Sequence, residues 1–177
     1  AIVLHIILHE GGHLLMGLAT GYRFSSFRIA SIAFVRKDGQ IRVLRYKLAG
    51  TGGQCLMLPP EMPVEQVPFF WYNAGGVIMN VVFALFPLIL LMKCNLTVWW
   101  SSWCIMMVIV GLSLAVLNGI PMRLGGMQND GMNILILFRT PEKRKDFVRQ
   151  LQIAVTATEG KRVSEMPAEW LDCDSVD

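Results

Sequence analysis

Charge is what this chain has least of. Asp, Glu, Lys and Arg make up 16% of its 177 residues, against roughly a quarter in soluble domains, so an ordinary water-solvated domain is a poor fit. Cysteine is sparse too. Cys55, Cys94, Cys104 and Cys173 are scattered, without the C-x-x-C spacing of a thiolate metal site, and none is assigned a role. Cys94 and Cys104 fall in or near apolar stretches, where cysteine serves as a small packing residue. No Gly-rich phosphate loop and no Arg-rich array is present, which argues against nucleotide or nucleic-acid partners. Ala1 already lies in an apolar run, without the basic n-region of a signal peptide, and the chain is expected to be a piece of a longer protein.

What is abundant is apolar length. The hydrophobic fraction is 54% and the mean hydropathy +0.49. Residues 1–19, 74–92 and 96–122 are apolar enough to cross a bilayer, which takes about 20 residues. Residues 20–73 differ in character. Stretches 22–35 and 40–48 are rich in aromatic and β-branched residues, with a turn signal at Lys37-Asp38-Gly39 between them, and read as a β-hairpin. Residues 50–53, then 54–58, add a further short strand. Pro59, Pro60, Pro63 and Pro68 make a stiff loop before Phe69-Phe70-Trp71-Tyr72, an aromatic cluster suited to a membrane interface. The hairpin is either a plain connector or an exposed edge that receives an extended peptide. The expected fold class is therefore mainly α: a polytopic membrane protein with a three-helix transmembrane core and a small β-hairpin element between the first and second spans.

Residues 127–138 are apolar but too short to span. Thr140-Pro141-Glu142 reads as a helix start, with Thr140 as N-cap and Pro141 at the first helical position. Phe147, Val148, Leu151 and Val155 then recur at helical spacing among Lys143, Arg144, Lys145 and Arg149, giving a basic amphipathic helix with a solvated or membrane-surface face. The expected division is a core over 1–139 and a basic amphipathic tail, itself truncated, over 140–177. Residues 21–73 hold seven Lys and Arg, the loop between the second and third spans only Lys93, and residues from Arg123 onward eight. With three spans, both basic regions fall on one side, which the positive-inside rule makes the cytoplasm.

Within the first apolar stretch stands His9-Glu10-Gly11-Gly12-His13. On a helix His9 and His13 lie on one face, one turn apart, so both imidazoles can reach one Zn²⁺, and Glu10 beside them can take a proton from a water. Ionisable groups at membrane depth are costly enough to imply function. A catalytic zinc usually has three protein ligands. The candidates for the third are acidic residues, Asp130 foremost because a Gly-rich stretch leads to it, or His5, four residues before His9. Asn129-Asp130-Gly131 also reads as a plain surface turn. His5 and His13 would be about 12 Å apart on a straight helix, which suits His5 better to a supporting or pore-lining place.

His9–x–x–x–His13 with Glu10, Gly76-Val77-Ile78-Met79-Asn80, and Asn118-Gly119-Ile120-Pro121 followed by Asp130-Gly131 together resemble the site-2 protease family of intramembrane zinc metalloproteases. The resemblance covers residues 5–131 in the family's order. It implies His9, His13 and Asp130 as zinc ligands, Glu10 as general base, and Asn80 and Asn118 in the cleft, holding the substrate or polarising its carbonyl. The twelve residues from Asn118 to Asp130 are a longer interval than the family's usual one. From the residues alone, the two asparagines serve equally as interhelical hydrogen-bond partners. Gly75 and Gly76 suit close helix packing, and Pro121 frees the carbonyl one turn before it.

The function expected is a membrane-embedded zinc endopeptidase acting on a transmembrane or membrane-adjacent peptide, with the lipid bilayer as its surroundings. The alternative is a catalytically silent membrane scaffold or regulator that keeps the fold, against which the intact Glu10 argues. A metal transporter lined by His5, His9 and His13 lacks further polar residues to continue its path.

Overall fold

The computed structural model describes residues 1–45 and 52–170. The end of the expected 40–48 strand, Lys47, Gly50 and Cys173 lie outside the described residues. Three long helices carry the architecture: α1 (Ile2–Ala19), α2 (Phe69–Lys93) and α3 (Val98–Gly119). Each is long and apolar enough to cross a membrane. Their polarity runs opposite to that of a soluble bundle. His5, Glu10, His13, Asn73 and Asn80 are buried, whereas Leu15, Phe86, Met92, Trp99 and Ile109 face outward.

Helices α1 and α2 meet backbone to backbone. A Cβ on Gly12 would lie 2.2 Å from the Gly75 carbonyl oxygen, and one on Gly75 would lie 2.3 Å from that of Gly12. Only glycine on both sides allows this approach. Gly76, one residue on, faces the rings of His9 and His13. The aromatic cluster that follows the proline loop forms the first turn of α2. Tyr72 turns inward and stacks on Tyr22 at 4.8 Å, while Phe70 and Trp71 point out.

Between α1 and α2 the chain forms β1 (Arg23–Ile29), β2 (Ile32–Lys37), β3 (Gln40–Arg45) and β4 (Gly53–Leu58), an antiparallel sheet in the order β3-β2-β1-β4. The further short strand expected over 54–58 is β4, and the expected hairpin is corrected to three strands, β1 to β3. The turn at Asp38 (φ 51°) and Gly39 (φ 78°) has the left-handed backbone of a two-residue hairpin loop. A second tight turn splits residues 22–35 between Ile29 and Ile32, with Ala30 at φ 48°. Ala30-Ser31 contains none of the Gly, Asn or Asp that signal such a turn. The chain's return through β4 lays that strand against β1 and α1, where Gly17 makes room for Met57.

Helix α3 ends at Gly119 because Pro121 forces the preceding residue, Ile120, into an extended conformation (ψ 124°). A tight hairpin follows, β5 (Arg123–Leu124) and β6 (Met127–Gln128), turning on Gly125 and Gly126 at positive φ. Helix α4 (Asp130–Arg139) and helix α5 (Lys143–Thr158) complete the chain's main elements. The α5 start corrects the expected one: Glu142 is the N-cap, and the Thr140 and Pro141 carbonyls accept from the Lys143 and Arg144 N–H groups in a preceding turn. Leu151 and Val155 of α5 are buried, and Leu151 joins Tyr22, Cys55, Met57, Val67 and Tyr72 in one core.

The two central glycines of the histidine motif are not equivalent. A Cβ at Gly11 meets nothing within 4 Å, whereas one at Gly12 strikes α2 backbone. Gly11→Ala should therefore leave stability unchanged or raise it by up to about 1 kcal/mol through helix propensity. Gly12→Ala should lower it by about 2 kcal/mol or more through overpacking. Thermal unfolding of the two variants in the same detergent checks the contrast.

Candidate metal centre

One helix, α1, and the start of another, α4, deliver three ligand-type atoms to one point. His9 Nε2 lies 3.1 Å from His13 Nε2, and Asp130 Oδ2 lies 3.2 Å from the first and 3.5 Å from the second. Tetrahedral zinc with bonds of 2.0–2.1 Å holds its ligand atoms roughly 3.3 Å apart. The triangle is therefore of the size that one such ion would draw together. His9, His13 and Asp130 form the candidate metal group among the described residues.

The protons support the same reading. His13 Nδ1 is 2.7 Å from the Tyr72 carbonyl oxygen, which can only accept, so Nδ1 carries the hydrogen. In the neutral ring, Nε2 then presents a lone pair. Asp130 Oδ2 is buried without a hydrogen-bond donor. Lone pairs converging in a buried site require a cation or extra protons between them. Burial alone would push the Asp130 carboxyl up, but attraction to His13 and His9 outweighs it and holds the group at about 2. The carboxylate is thus in the form a metal needs. Because ligands must be unprotonated to bind, metal should be retained near neutral pH and lost as pH falls. Zinc retention titrated against pH checks this.

Asp130 reaches the site through its neighbour Asn129, whose role the sequence left undistinguished from a surface turn. Asn129 Nδ2 donates to the Leu117 and Ile120 carbonyls at 2.7 and 2.6 Å, and its Oδ1 accepts from the Met122 and Met132 N–H groups at 3.1 and 2.9 Å. The Leu117 carbonyl is the one that Pro121, lacking an N–H, leaves without a helical partner. One side chain therefore closes the C-terminal end of α3 and caps α4, setting Asp130 at the first position of that helix. Gly131 completes the junction: a Cβ there would lie 2.1 Å from the Gly119 carbonyl oxygen.

Glu10 sits in the same cavity, of about 500 Å³, which His9, His13, Asp130, Asn80 and Asn118 also line. The Cys55 backbone N–H lies near the Glu10 carboxylate and favours its charged form. Gly53 of β4 leaves room for it, since a Cβ there would lie 2.7 Å from Glu10 Cγ. The Cys55 carbonyl accepts from the Tyr72 hydroxyl at 2.8 Å. The backbone of β4 at Cys55 is thus engaged by the site, while β3 at the far edge of the sheet is wholly exposed. Asn118 donates from Nδ2 to the Leu114 carbonyl of its own helix at 2.9 Å. Asn80 is fully buried between His5 and His9. His5 stands outside the triangle, its two ring nitrogens engaged by Asn80 and the Met107 carbonyl. Cys55, Cys94 and Cys104 are free and none joins the group.

Comparison with protein-family models, with curated proteins and with solved structures finds no match to this chain.

Asn129→Ala removes a helix cap and strands two carbonyls. It should cost about 2 kcal/mol or more and weaken metal binding, because Asp130 loses its anchor. Zinc affinity and thermal stability measured together check both effects.

Proposed function

We propose that this chain is a membrane-embedded zinc endopeptidase of the site-2 protease kind. The observation that carries the reading is the joint placement of Glu10 and the His9–His13–Asp130 triangle in one cavity enclosed by helices with apolar outer faces. Exposed apolar surface of that extent fits a hydrocarbon surround. Aromatic residues stand toward opposite ends of the α2–α3 pair, Phe70 and Trp71 at one and Trp99, Trp100 and Trp103 at the other, as in an interfacial belt. Gly76, against the two imidazoles, is five residues along α2 from Trp71, a rise of roughly 7–8 Å. That depth leaves the site within reach of water from the side bearing the sheet, α4 and α5, which the distribution of Lys and Arg assigns to the cytoplasm.

His9, His13 and Asp130 would hold the zinc. When bound, it supplies a Lewis acid that polarises the scissile carbonyl and acidifies water. Glu10 takes a proton from the attacking water as its oxygen bonds to the carbonyl carbon, then gives that proton to the departing amine nitrogen as the C–N bond breaks. Gly53 of β4 gives the Glu10 side chain room beside the triangle. Asn118, on the cavity wall, offers amide polarity to the developing oxyanion. Gly52, Gly53 and Gln54 of the β4 approach border the cavity, which suits a substrate held extended and locally unwound.

Purified protein in detergent, given a model transmembrane peptide, tests this. Cleavage should require zinc and stop with a chelator. Glu10→Gln should lose at least about a thousandfold in rate with zinc still bound at one equivalent. Asp130→Ala should lose both zinc and cleavage. Zinc binding without cleavage of any membrane peptide by the unmodified protein would favour the silent scaffold instead.

A further inference from the structure

Behind the triangle runs a second line of polar groups: the Met107 carbonyl, His5, Asn80 and His9. His5 Nε2 lies 3.0 Å from the Met107 carbonyl oxygen, and His5 is fully buried. Its ring occupies a slot between α2 and α3, where a Cβ on Gly111 would lie 2.5 Å from His5 Cε1 and 2.8 Å from Ala84 Cβ. Asn80, likewise fully buried, has Oδ1 3.3 Å from His5 Nδ1 and Nδ2 3.1 Å from His9 Nδ1.

The protons on this line are fixed from its far end. A carbonyl only accepts, so His5 Nε2 carries the hydrogen, and in the neutral ring Nδ1 presents a lone pair. That lone pair needs a donor, which the Asn80 amide nitrogen alone can be. The oxygen and nitrogen of an amide are interchangeable in shape, so the orientation of Asn80 follows from the protons on either side. With Nδ2 turned to His5, Oδ1 faces His9 and accepts from its Nδ1–H. His9 then carries its lone pair on Nε2, the atom that points at His13 and Asp130. The opposite orientation requires an additional buried proton on His5 or leaves two lone pairs opposed.

We propose that His5 and Asn80 are positioning residues for the metal site: they hold His9 with its proton on Nδ1 and its Nε2 free to bind zinc. Asn80 does for His9 what the Tyr72 carbonyl does for His13. Metal-bound imidazoles generally have such an acceptor on the other nitrogen, and its loss lowers metal affinity. The proposal rests on the zinc reading of the triangle and is independent of which substrate the site takes. It gives His5 a place in the helix stripe without making it a ligand, and it turns the Asn80 amide toward the metal ligand instead of the substrate.

Two measurements on the full chain in detergent test it. The chain has only three histidines, so nitrogen NMR of zinc-loaded, histidine-labelled protein reports every imidazole. Protonation on Nδ1 of His9 and His13 and on Nε2 of His5 is expected. A His9 protonated on Nε2, or a His5 protonated on Nδ1 alone, overturns the proposal, and this experiment needs no variant. Zinc affinity by chelator competition is the second. Asn80→Leu removes the acceptor and should weaken zinc about 10–100-fold. Asn80→Asp keeps an acceptor for the His9 N–H and should bind zinc more tightly than Asn80→Leu. A packing role predicts the reverse order, because a buried carboxylate disrupts the core more than leucine does. Equal affinity in both variants and the unmodified protein also overturns the proposal, leaving the zinc site itself standing. Failure of the unmodified protein to bind zinc overturns both.

Discussion

The contact between Gly12 and Gly75, closer than any side chain would allow, is the constraint on which the rest of the site depends. It brings α1 and α2 together at the level of the histidine motif, so that His9 and His13 pack against Gly76 and not against a side chain. At that separation His13 reaches the Tyr72 carbonyl and His9 reaches Asn80. A methyl group at either glycine would push the helices apart, and both second contacts would lengthen with the first. Helix packing and imidazole orientation are thus a single geometric event in this chain.

Burying polar groups among apolar helices is costly unless each has a partner. Here the buried side-chain amides and imidazoles have partners, in several groups. Asn129 satisfies two carbonyls and two N–H groups at the junction of α3 and α4. Asn133 donates to Asn73, which donates to the Phe69 carbonyl. A separate line joins His5, Asn80 and His9. Asp130 Oδ2 is buried without a hydrogen-bond partner, as are the Tyr22 and Ser25 hydroxyls. It faces two imidazole nitrogens at distances suited to a shared ion, which is why the cavity reads as a metal site prepared by its surroundings.

Much of this was legible in the residues. The three apolar stretches predict three long helices, and the spacing of His9 and His13 predicts that they share a face. The Asp38-Gly39 turn was visible because glycine and aspartate favour left-handed backbone. The turn at Ala30 was not, since alanine carries no such preference and tertiary pairing of β1 with both β2 and β4 imposes it. Nor could local sequence set apart Asn129, whose four hydrogen bonds depend on a carbonyl freed twelve residues earlier. His5 could be placed on the right face from spacing alone, but its partners, 75 and 102 residues away in the chain, required the fold. The apolar stripe of α5 was legible, but its packing against the sheet was not, because a membrane surface would cover it equally well.

The central claim is that His9, His13 and Asp130 together bind zinc. X-ray absorption at the zinc edge, on the full chain loaded with one equivalent, tests it most directly. The account predicts a first shell of nitrogen and oxygen only, at about 2.0–2.1 Å, with the outer-shell scattering of two imidazoles. Sulfur at about 2.3 Å, three imidazoles in place of two, or zinc retained only as a hydrated ion would contradict it.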